Sequence, residues 1–224
     1  MSFRLILEKK EKGAMLKAVP CLALLSLAAG IAGGVAVAQS NVNTNPGLAP
    51  SGRYRVVPDH TQIVFSIMHL GLSPYFGRLA GATGAMNFNP LNPERASVSV
   101  DIDPKTTSTL TDLLSRQLCG EDVFNCAKFS KISFKSTGVK KTGDTTGDIT
   151  GNLSIAGVTK PVVLHATFHG GMQGPLGQDN YQLGFSAETT IKRSDFGLTK
   201  MIWAPTVSDE VTLMIAAEFE QDKS

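Results

Sequence analysis

The sequence predicts an all-β protein whose strands pair as an antiparallel barrel or sandwich. Three observations indicate this class: apolar and polar residues alternate along eight or nine segments, short turns join most of these segments, and a single stretch has helical periodicity. Alternation with a period of two places one set of side chains on each face of a strand. Sequential strands with one apolar face are typical of up-and-down barrels and of sandwiches.

Residues 146–171 form the clearest element, two long strands joined by a tight turn. Ala156-Gly157 supplies the reversal, because Gly tolerates the positive φ that hairpin turns require. The residues that share the apolar parity are Ile149, Leu153 and Ile155 on the first strand and Val162, Leu164, Ala166 and Phe168 on the second. The other strands are predicted over residues 52–57, 61–70, 75–88, 96–103, 131–139, 181–191 and 207–220.

One stretch departs from the strand pattern. Four leucines recur at helical spacing over residues 109–118, after a Ser/Thr-rich segment that suits a helix N-cap, so a short amphipathic helix is predicted there. The outward parity of the strands carries Asp, Lys, Ser, Thr and Glu. A membrane barrel has the opposite arrangement, apolar outside and polar inside, and is therefore excluded.

The inward parity mixes small residues with aromatic ones. Gly151, Ala166, Ala187 and Ala217 leave room between the larger side chains. The lumen of an eight-stranded barrel is either just filled or holds one small ligand. The small residues favour a cavity, although they would also suit closely packed sheets.

Residues 1–38 predict a signal peptide. A basic leader precedes an apolar run that ends in Ala36-Val37-Ala38, and small residues before the cut are what signal peptidase requires, so cleavage is expected between Ala38 and Gln39. Either Met1 or Met15 serves as the start. The alternative is an uncleaved anchor, since the run is about long enough to span a bilayer. We expect residues 39–51 to be a flexible tail and residues 52–224 to form one domain.

Removal of the leader changes the net charge. The leader holds 5 of the 21 basic and 2 of the 19 acidic residues, so 21 − 5 = 16 basic and 19 − 2 = 17 acidic residues remain, a net charge of −1. No basic patch of the kind that nucleic acid requires is present, and we expect no nucleic-acid partner.

The order of short motifs along the chain resembles that of the YceI family, periplasmic lipocalin-like proteins that bind polyisoprenoid lipids. The matching pieces are Asp59-His60-Thr61 before Ile63-Val64-Phe65 and His69; Phe76-Gly77; Lys131-Ile132-Ser133-Phe134; Gly151-Asn152-Leu153-Ser154-Ile155 with Gly157-Val158-Thr159-Lys160-Pro161; and Arg193-Ser194-Asp195-Phe196-Gly197 before Val207-Ser208-Asp209-Glu210. The resemblance implies an extended antiparallel eight-stranded barrel with a hydrophobic lumen for a quinone or polyprenyl phosphate. It implies no catalytic centre and no cofactor besides that lipid, and it leaves a homodimer and transient contact with a membrane surface open.

With such a lumen, the inward side chains become the expected ligand contacts. They are Phe65, Ile67, Phe76, Phe88, Phe134, Leu153, Leu164, Ala166, Phe168 and Phe185. Arg193 and Lys192 are candidate contacts for a lipid head group, because Arg offers a bidentate fork to phosphate. The alternative for Arg193 is a structural turn in which it pairs with Asp195 or another carboxylate.

Cysteines and histidines suggest structure rather than catalysis. Cys119 and Cys126 are the two cysteines left after cleavage, and in an oxidising compartment they predict a disulfide. His165 and His169 lie four residues apart on a strand, roughly 13 Å, which is too far to share a metal ion. His60 and His69 flank one strand and point in opposite directions, so no metal site is expected.

Two functions fit these patterns. The first is a periplasmic carrier that holds an isoprenoid lipid for transport or storage, and the second is an enzyme that acts on such a lipid inside the barrel. No Gly-x-Ser-x-Gly motif and no nucleophile beside a base is visible, so a non-enzymatic carrier is the primary prediction.

Overall fold

The structure, a computed structural model, describes residues 41–174 and 179–222. The predicted leader, with its cleavage site after Ala38, lies outside the described residues. The strands are β1 Gly52–Val56, β2 Gln62–His69, β3 Ser73–Leu79, β4 Thr83–Phe88, β5 Ser97–Ile102, β6 Ser108–Thr109, β7 Ile132–Lys141, β8 Thr146–Ile155, β9 Val158–Gln173, β10 Tyr181–Lys192 and β11 Val207–Gln221, and the α-helix is α1 Asp112–Leu118. In the described part of the chain, no helix is long and apolar enough to cross a bilayer.

The strands form a closed antiparallel barrel. β11 pairs with β10 on one side, and on the other side it pairs first with β2 and then with β1. β3 pairs with β2 and β4 pairs with β1, so β1 with β2, and β3 with β4, each act as the two halves of one long strand. β5 and β6 form a third broken strand. Counting each broken strand once, the barrel has eight strands, and it closes where β1 meets β11. The predicted barrel is confirmed and the sandwich is excluded.

The interruption in each of the three broken strands has an identifiable local cause. A 3-10 turn over Pro58–His60 separates β1 from β2, and a second one over Pro104–Thr106 separates β5 from β6. Gly81, at φ +65°, makes the bend between β3 and β4. Proline fixes φ and has no N–H for a ladder, and a positive φ is easy only for glycine, so the chain leaves the sheet at these points.

The hairpin of β8 and β9 has the predicted turn. Ile155 pairs with Val158, and Ala156 and Gly157 both have positive φ, 47° and 81°, as a two-residue hairpin turn requires. A side chain at Gly157 would come within 2.6 Å of the Phe129 ring. Glycine therefore satisfies both the turn and the close approach of the segment that follows α1.

The helix and the N-terminal tail differ from the sequence predictions. α1 begins after Thr111, whose side chain caps it by accepting from the N–H of Leu114, because Ser108-Thr109 pairs with β3 instead of starting the helix. The described part of the predicted flexible tail packs against the barrel. Asn43 exchanges two backbone hydrogen bonds with Gly171 of β9, and Ala49 is buried.

Candidate functional site

The barrel encloses one large apolar cavity. Its volume is about 610 Å³, and side chains from β1 to β11, α1 and the loop between β10 and β11 line it. His69, at the end of β2, is the one exposed residue among the described residues that line the cavity. His69 pairs with Val207 at the start of β11, so the cavity opens at this end of the barrel.

The interior is hollow rather than close-packed. Leu164, Ala166, Ala187 and Leu213 point inward and line the cavity, yet none of them is fully buried. Inward side chains in a packed core have no accessible surface left, because protein interiors leave few voids larger than a water molecule. The remaining accessibility of these residues therefore faces the cavity itself.

Small residues create this space where three strands run side by side. Ala166 of β9 pairs with Gly147 of β8 and with Ala187 of β10. Directly paired residues have Cβ atoms about 4.5–5.5 Å apart, so larger side chains at these three positions would meet inside the barrel. Of the three, Ala166 and Ala187 line the cavity, and their small side chains leave that volume empty.

Aromatic packing closes the other end of the barrel. The rings of Phe168 and Phe185 lie 5.3 Å apart, and Phe185 contacts Phe219 edge-on at 5.8 Å. Two fully buried residues lie at the same end: Leu183, which pairs with Phe219, and Tyr54, which pairs with Gln221. The Tyr54 hydroxyl donates to the Pro50 carbonyl at 2.6 Å, and burial raises the pKa of Tyr54 to about 12. Phe185 and Phe219 thus form the floor of the cavity.

A disulfide-linked loop covers part of the open end. Cys119 and Cys126 are bonded, with Cα atoms 5.2 Å apart, which confirms the predicted bridge. Between them, Val123 and Phe124 line the cavity, together with Leu118 at the end of α1. The bridge therefore holds a segment that forms part of the cavity wall.

Arg193 joins the cavity wall to the loop between β10 and β11. Its guanidinium donates to the carbonyls of Ser208 at 3.0 Å, Leu198 at 2.8 Å, Ala204 at 2.9 Å and Val207 at 3.5 Å. The structural alternative for Arg193 is thus realised, with backbone carbonyls in place of the expected carboxylate.

The residue after Arg193 holds the same turn to β11. Ser194 donates its N–H and its hydroxyl to Asp209, at 2.9 and 2.6 Å. The hydrogen bonds from Ser194, with the nearby charge of Arg193, lower the pKa of the Asp209 carboxyl.

The histidines have separate partners. His60 contacts Glu218 and His165 contacts Asp148, each at 2.8 Å, while His169 contacts Ser186 at 2.8 Å. Among the described residues, no group of three or more His, Cys, Asp or Glu side chains could hold a metal ion.

The structure places seven of the ten predicted lumen residues on the cavity wall. They are Phe65, Ile67, Phe134, Leu153, Leu164, Ala166 and Phe185. Phe168 and Phe88 face the core near the closed end and do not line the cavity. The inward assignment of Phe76 is wrong, since its side chain lies on the outer surface and is 51% exposed. Of the two head-group candidates, Arg193 lines the cavity and Lys192 is exposed outside it.

Several residues at the open end escaped the sequence reasoning. Tyr75, Thr109, Leu114 and Trp203 all line the cavity there. Leu114 was visible as an apolar position of the predicted helix. Trp203 lies in an irregular segment without periodicity, so no local pattern indicates its direction.

The fold and the cavity define a class: a closed eight-stranded antiparallel barrel with an apolar lumen open at one end. Comparison with known proteins is more specific. The YceI-like domain matches residues 54–219, and the chain belongs to this family.

Individual relatives cover most of the chain. A YceI protein of Salmonella arizonae is 37% identical over 179 residues, 79% of this chain and 91% of the relative. A UPF0312 protein of Ectopseudomonas mendocina is 37% identical over 156 residues, 70% of this chain and 81% of the relative.

Two solved structures share the fold. The crystal structure of the Campylobacter jejuni YceI protein superposes with a TM-score of 0.62 at 29% identity, over 70% of this chain and 91% of the other. A polyisoprenoid binding domain from Saccharophagus degradans, implicated in plant cell wall breakdown, has a TM-score of 0.58 at 12% identity, over 77% of this chain and 100% of the other.

Proposed function

We propose that the protein carries one long-chain isoprenoid lipid in the barrel cavity, for transport or storage in the periplasm. The observation that carries this proposal is the cavity itself, about 610 Å³ with an almost wholly apolar lining. Its volume lies within the range of small-molecule sites, roughly 300–1,000 Å³. An apolar cavity with one mouth suits a ligand that has a long apolar tail and a single polar end.

The closed end sets the orientation of the ligand. Phe185 and Phe219 form an apolar floor, and three polar lining residues, His69, Thr109 and Thr206, lie at the open end. Of the two polar lining residues further down, Ser186 bonds to His169 and Thr61 accepts from the N–H of Glu218. A lipid therefore enters tail first and leaves its head group at the mouth, where water and hydrogen-bond partners remain available. The family and the polyisoprenoid-binding domain with the same fold support an isoprenoid as the ligand.

The hydrogen bonds of Arg193 limit the kind of ligand head group that it can bind. Its hydrogen bonds to four carbonyls use four of its five N–H groups, which leaves one for a ligand. A phosphate would need a bidentate fork or several cations, and Lys192 lies outside the cavity. A quinone carbonyl needs one donor. The arrangement favours a quinone over a polyprenyl phosphate.

The ionisable groups favour a carrier over an enzyme. Within the described lining, His69, Tyr75 and Arg193 are the ionisable side chains, and no carboxylate or thiol accompanies them. General acid–base or nucleophilic catalysis needs a positioned partner for the reacting group. The disulfide of Cys119 and Cys126 suits an oxidising compartment, in keeping with export through the predicted signal peptide.

Trp203 provides a direct test, because it is the single tryptophan of the chain and lies on the cavity wall. We expect titration with an isoprenoid quinone to quench its fluorescence saturably at one ligand per chain, and a head-group quinone without a tail to have little effect. Polyprenyl phosphate, read through displacement of the quinone, should bind more weakly. Equal quenching by the tailless quinone, or no saturation with any isoprenoid, would contradict the proposal.

A further inference from the structure

Apolar side chains that point into solvent flank part of the mouth of the cavity. They come from three segments: the turn between β2 and β3 with the start of β3, the residues around the start of α1, and the loop before β11. Ile202 is 94% exposed, Leu110 is 85% exposed and Leu72 is 82% exposed. We call the following set the mouth rim: Leu70, Leu72, Phe76, Leu110, Leu113 and Ile202.

The rim continues the wall of the cavity. Leu70 follows His69, Phe76 follows Tyr75, and Leu110 follows Thr109, and the first member of each pair lines the cavity. In the same way, Leu113 precedes the lining residue Leu114, and Ile202 lies between Met201 and Trp203, which both line the cavity. At the mouth, therefore, successive residues present apolar surface first to the lumen and then to the outside.

Backbone hydrogen bonds hold the three segments side by side. The Leu70 N–H donates to the Thr206 carbonyl at 2.7 Å, which joins the turn between β2 and β3 to the loop that carries Ile202. Gly77 pairs with Thr109, and the next residues beyond this pair are Phe76 and Leu110. The rim is thus one continuous surface rather than scattered exposed residues. Contiguous exposed apolar surface marks an interaction site.

We propose that the mouth rim docks the open end of the barrel onto a lipid bilayer, so that the ligand passes between membrane and cavity without crossing water. The inference rests on the proposed function, because a carried lipid must leave through this mouth. The charge of the rim fits a bilayer partner: segments 68–76, 108–114 and 198–206 contain, besides His69, one acid, Asp112, and one base, Lys200. Attachment therefore depends on apolar insertion rather than on attraction to anionic lipid.

A matched pair of variants tests the rim. Leu110→Ser with Ile202→Ser removes two of its most exposed side chains. Leu48→Ser with Leu91→Ser removes side chains of similar exposure, 66% and 83%, from the opposite end of the barrel. All four positions are exposed, so the folded structure should tolerate every substitution, and unchanged melting temperatures verify this.

The assay is flotation of the exported protein with phosphatidylcholine vesicles, the variants sharing the N-terminus of the wild type. We expect each rim substitution to lower the partition coefficient about tenfold, equal to about 1.4 kcal/mol, and the pair about 100-fold. The control variant, Leu48→Ser with Leu91→Ser, should bind the vesicles like the wild type. Binding should persist from about 0.1 to 0.5 M salt, because screening acts on charges and not on apolar insertion.

Three results would overturn the proposal: no flotation of the wild type, equal loss in both double variants, or loss of binding at high salt. Sedimentation provides a further test. If the wild type is a dimer that the rim substitutions dissociate, and it does not bind vesicles, the rim is an interface with a second copy of the chain. Lipid extracted from the same protein separates this inference from the proposed function. A filled cavity without flotation contradicts the rim alone, and flotation with a cavity that binds no isoprenoid contradicts the carrier role alone.

Discussion

Filling the cavity beside Ala166 should remove the ligand and leave the fold intact. Ala166 points into the cavity between Gly147 and Ala187 on the neighbouring strands, so Ala166→Trp places an indole in empty space. If the indole covers about 100 Å² of wall that the lipid would contact, the loss is about 2.5 kcal/mol at about 25 cal/mol per Å². That corresponds to affinity weaker by roughly 60-fold.

The stability of the lipid-free protein decides between a cavity and a packed core. In a close-packed core the same change would cost about 1–3 kcal/mol, and for a chain of this size each kcal/mol lowers the melting temperature by about 2–4 °C. We expect a change below about 2 °C, because the side chain enters space that is already open. The comparison requires lipid-free protein, since a bound ligand itself raises apparent stability.

Val163→Trp is the matched control. Val163 precedes Leu164 on β9 but lies on the outer face, 37% exposed. The control should bind lipid like the wild type. A fall of several degrees in the calorimetric melting temperature of lipid-free Ala166→Trp, or equal loss of lipid in both tryptophan variants, would contradict an open cavity at Ala166.

Three further predictions concern stability. Replacing Cys119 and Cys126 with Ser should lower the unfolding free energy by about 2.5 kcal/mol, the loop-entropy value for so short a loop, and the melting temperature by about 5–10 °C; an unchanged calorimetric transition would contradict a stabilising bridge. Because burial raises the pKa of Tyr54 to about 12, from 10.0, the folded state favours the neutral phenol. This contribution to the free energy of unfolding is complete below pH 10 and falls by about 1.4 kcal/mol per pH unit between pH 10 and 12. Urea unfolding of the wild type should therefore give a lower free energy near pH 11.5 than near pH 9, and Tyr54→Phe should lack this contribution. Arg193→Lys should lower the free energy of urea unfolding by about 3 kcal/mol, because an ammonium cannot reach all the carbonyls that the guanidinium joins. Lys192→Met, at an exposed position, should change it by no more than about 0.5 kcal/mol. Equal effects at both positions would contradict a stabilising role for the Arg193 hydrogen bonds.

Local periodicity predicted the direction of most strand side chains because it depends only on the chain itself. The inward residues of β8 and β9, such as Leu153 and Leu164, line the cavity as their parity predicted. Phe76 fails because residues 75–88 do not form one strand. The bend at Gly81 shifts the phase, so odd residues such as Leu79 face inward in β3 and even ones such as Met86 in β4.

Depth along the barrel and loop geometry could not be predicted in the same way. Phe168 has the correct parity, but it packs on Phe185 near the floor, and its height depends on the stagger of neighbouring strands. Arg193 bonds to carbonyls five to fifteen residues further along the chain. These contacts depend on a loop without periodicity, so its role emerged only from the structure.

Native mass spectrometry of the protein, expressed with its own N-terminus and purified without detergent, tests whether the cavity holds a lipid. We expect one bound isoprenoid lipid per chain, identified by its fragments as a quinone, in the wild type and in Val163→Trp. We expect that lipid to be lost in Ala166→Trp. Wild-type protein without bound lipid that also fails to take up an added isoprenoid quinone, or lipid retained in full by Ala166→Trp, would contradict it.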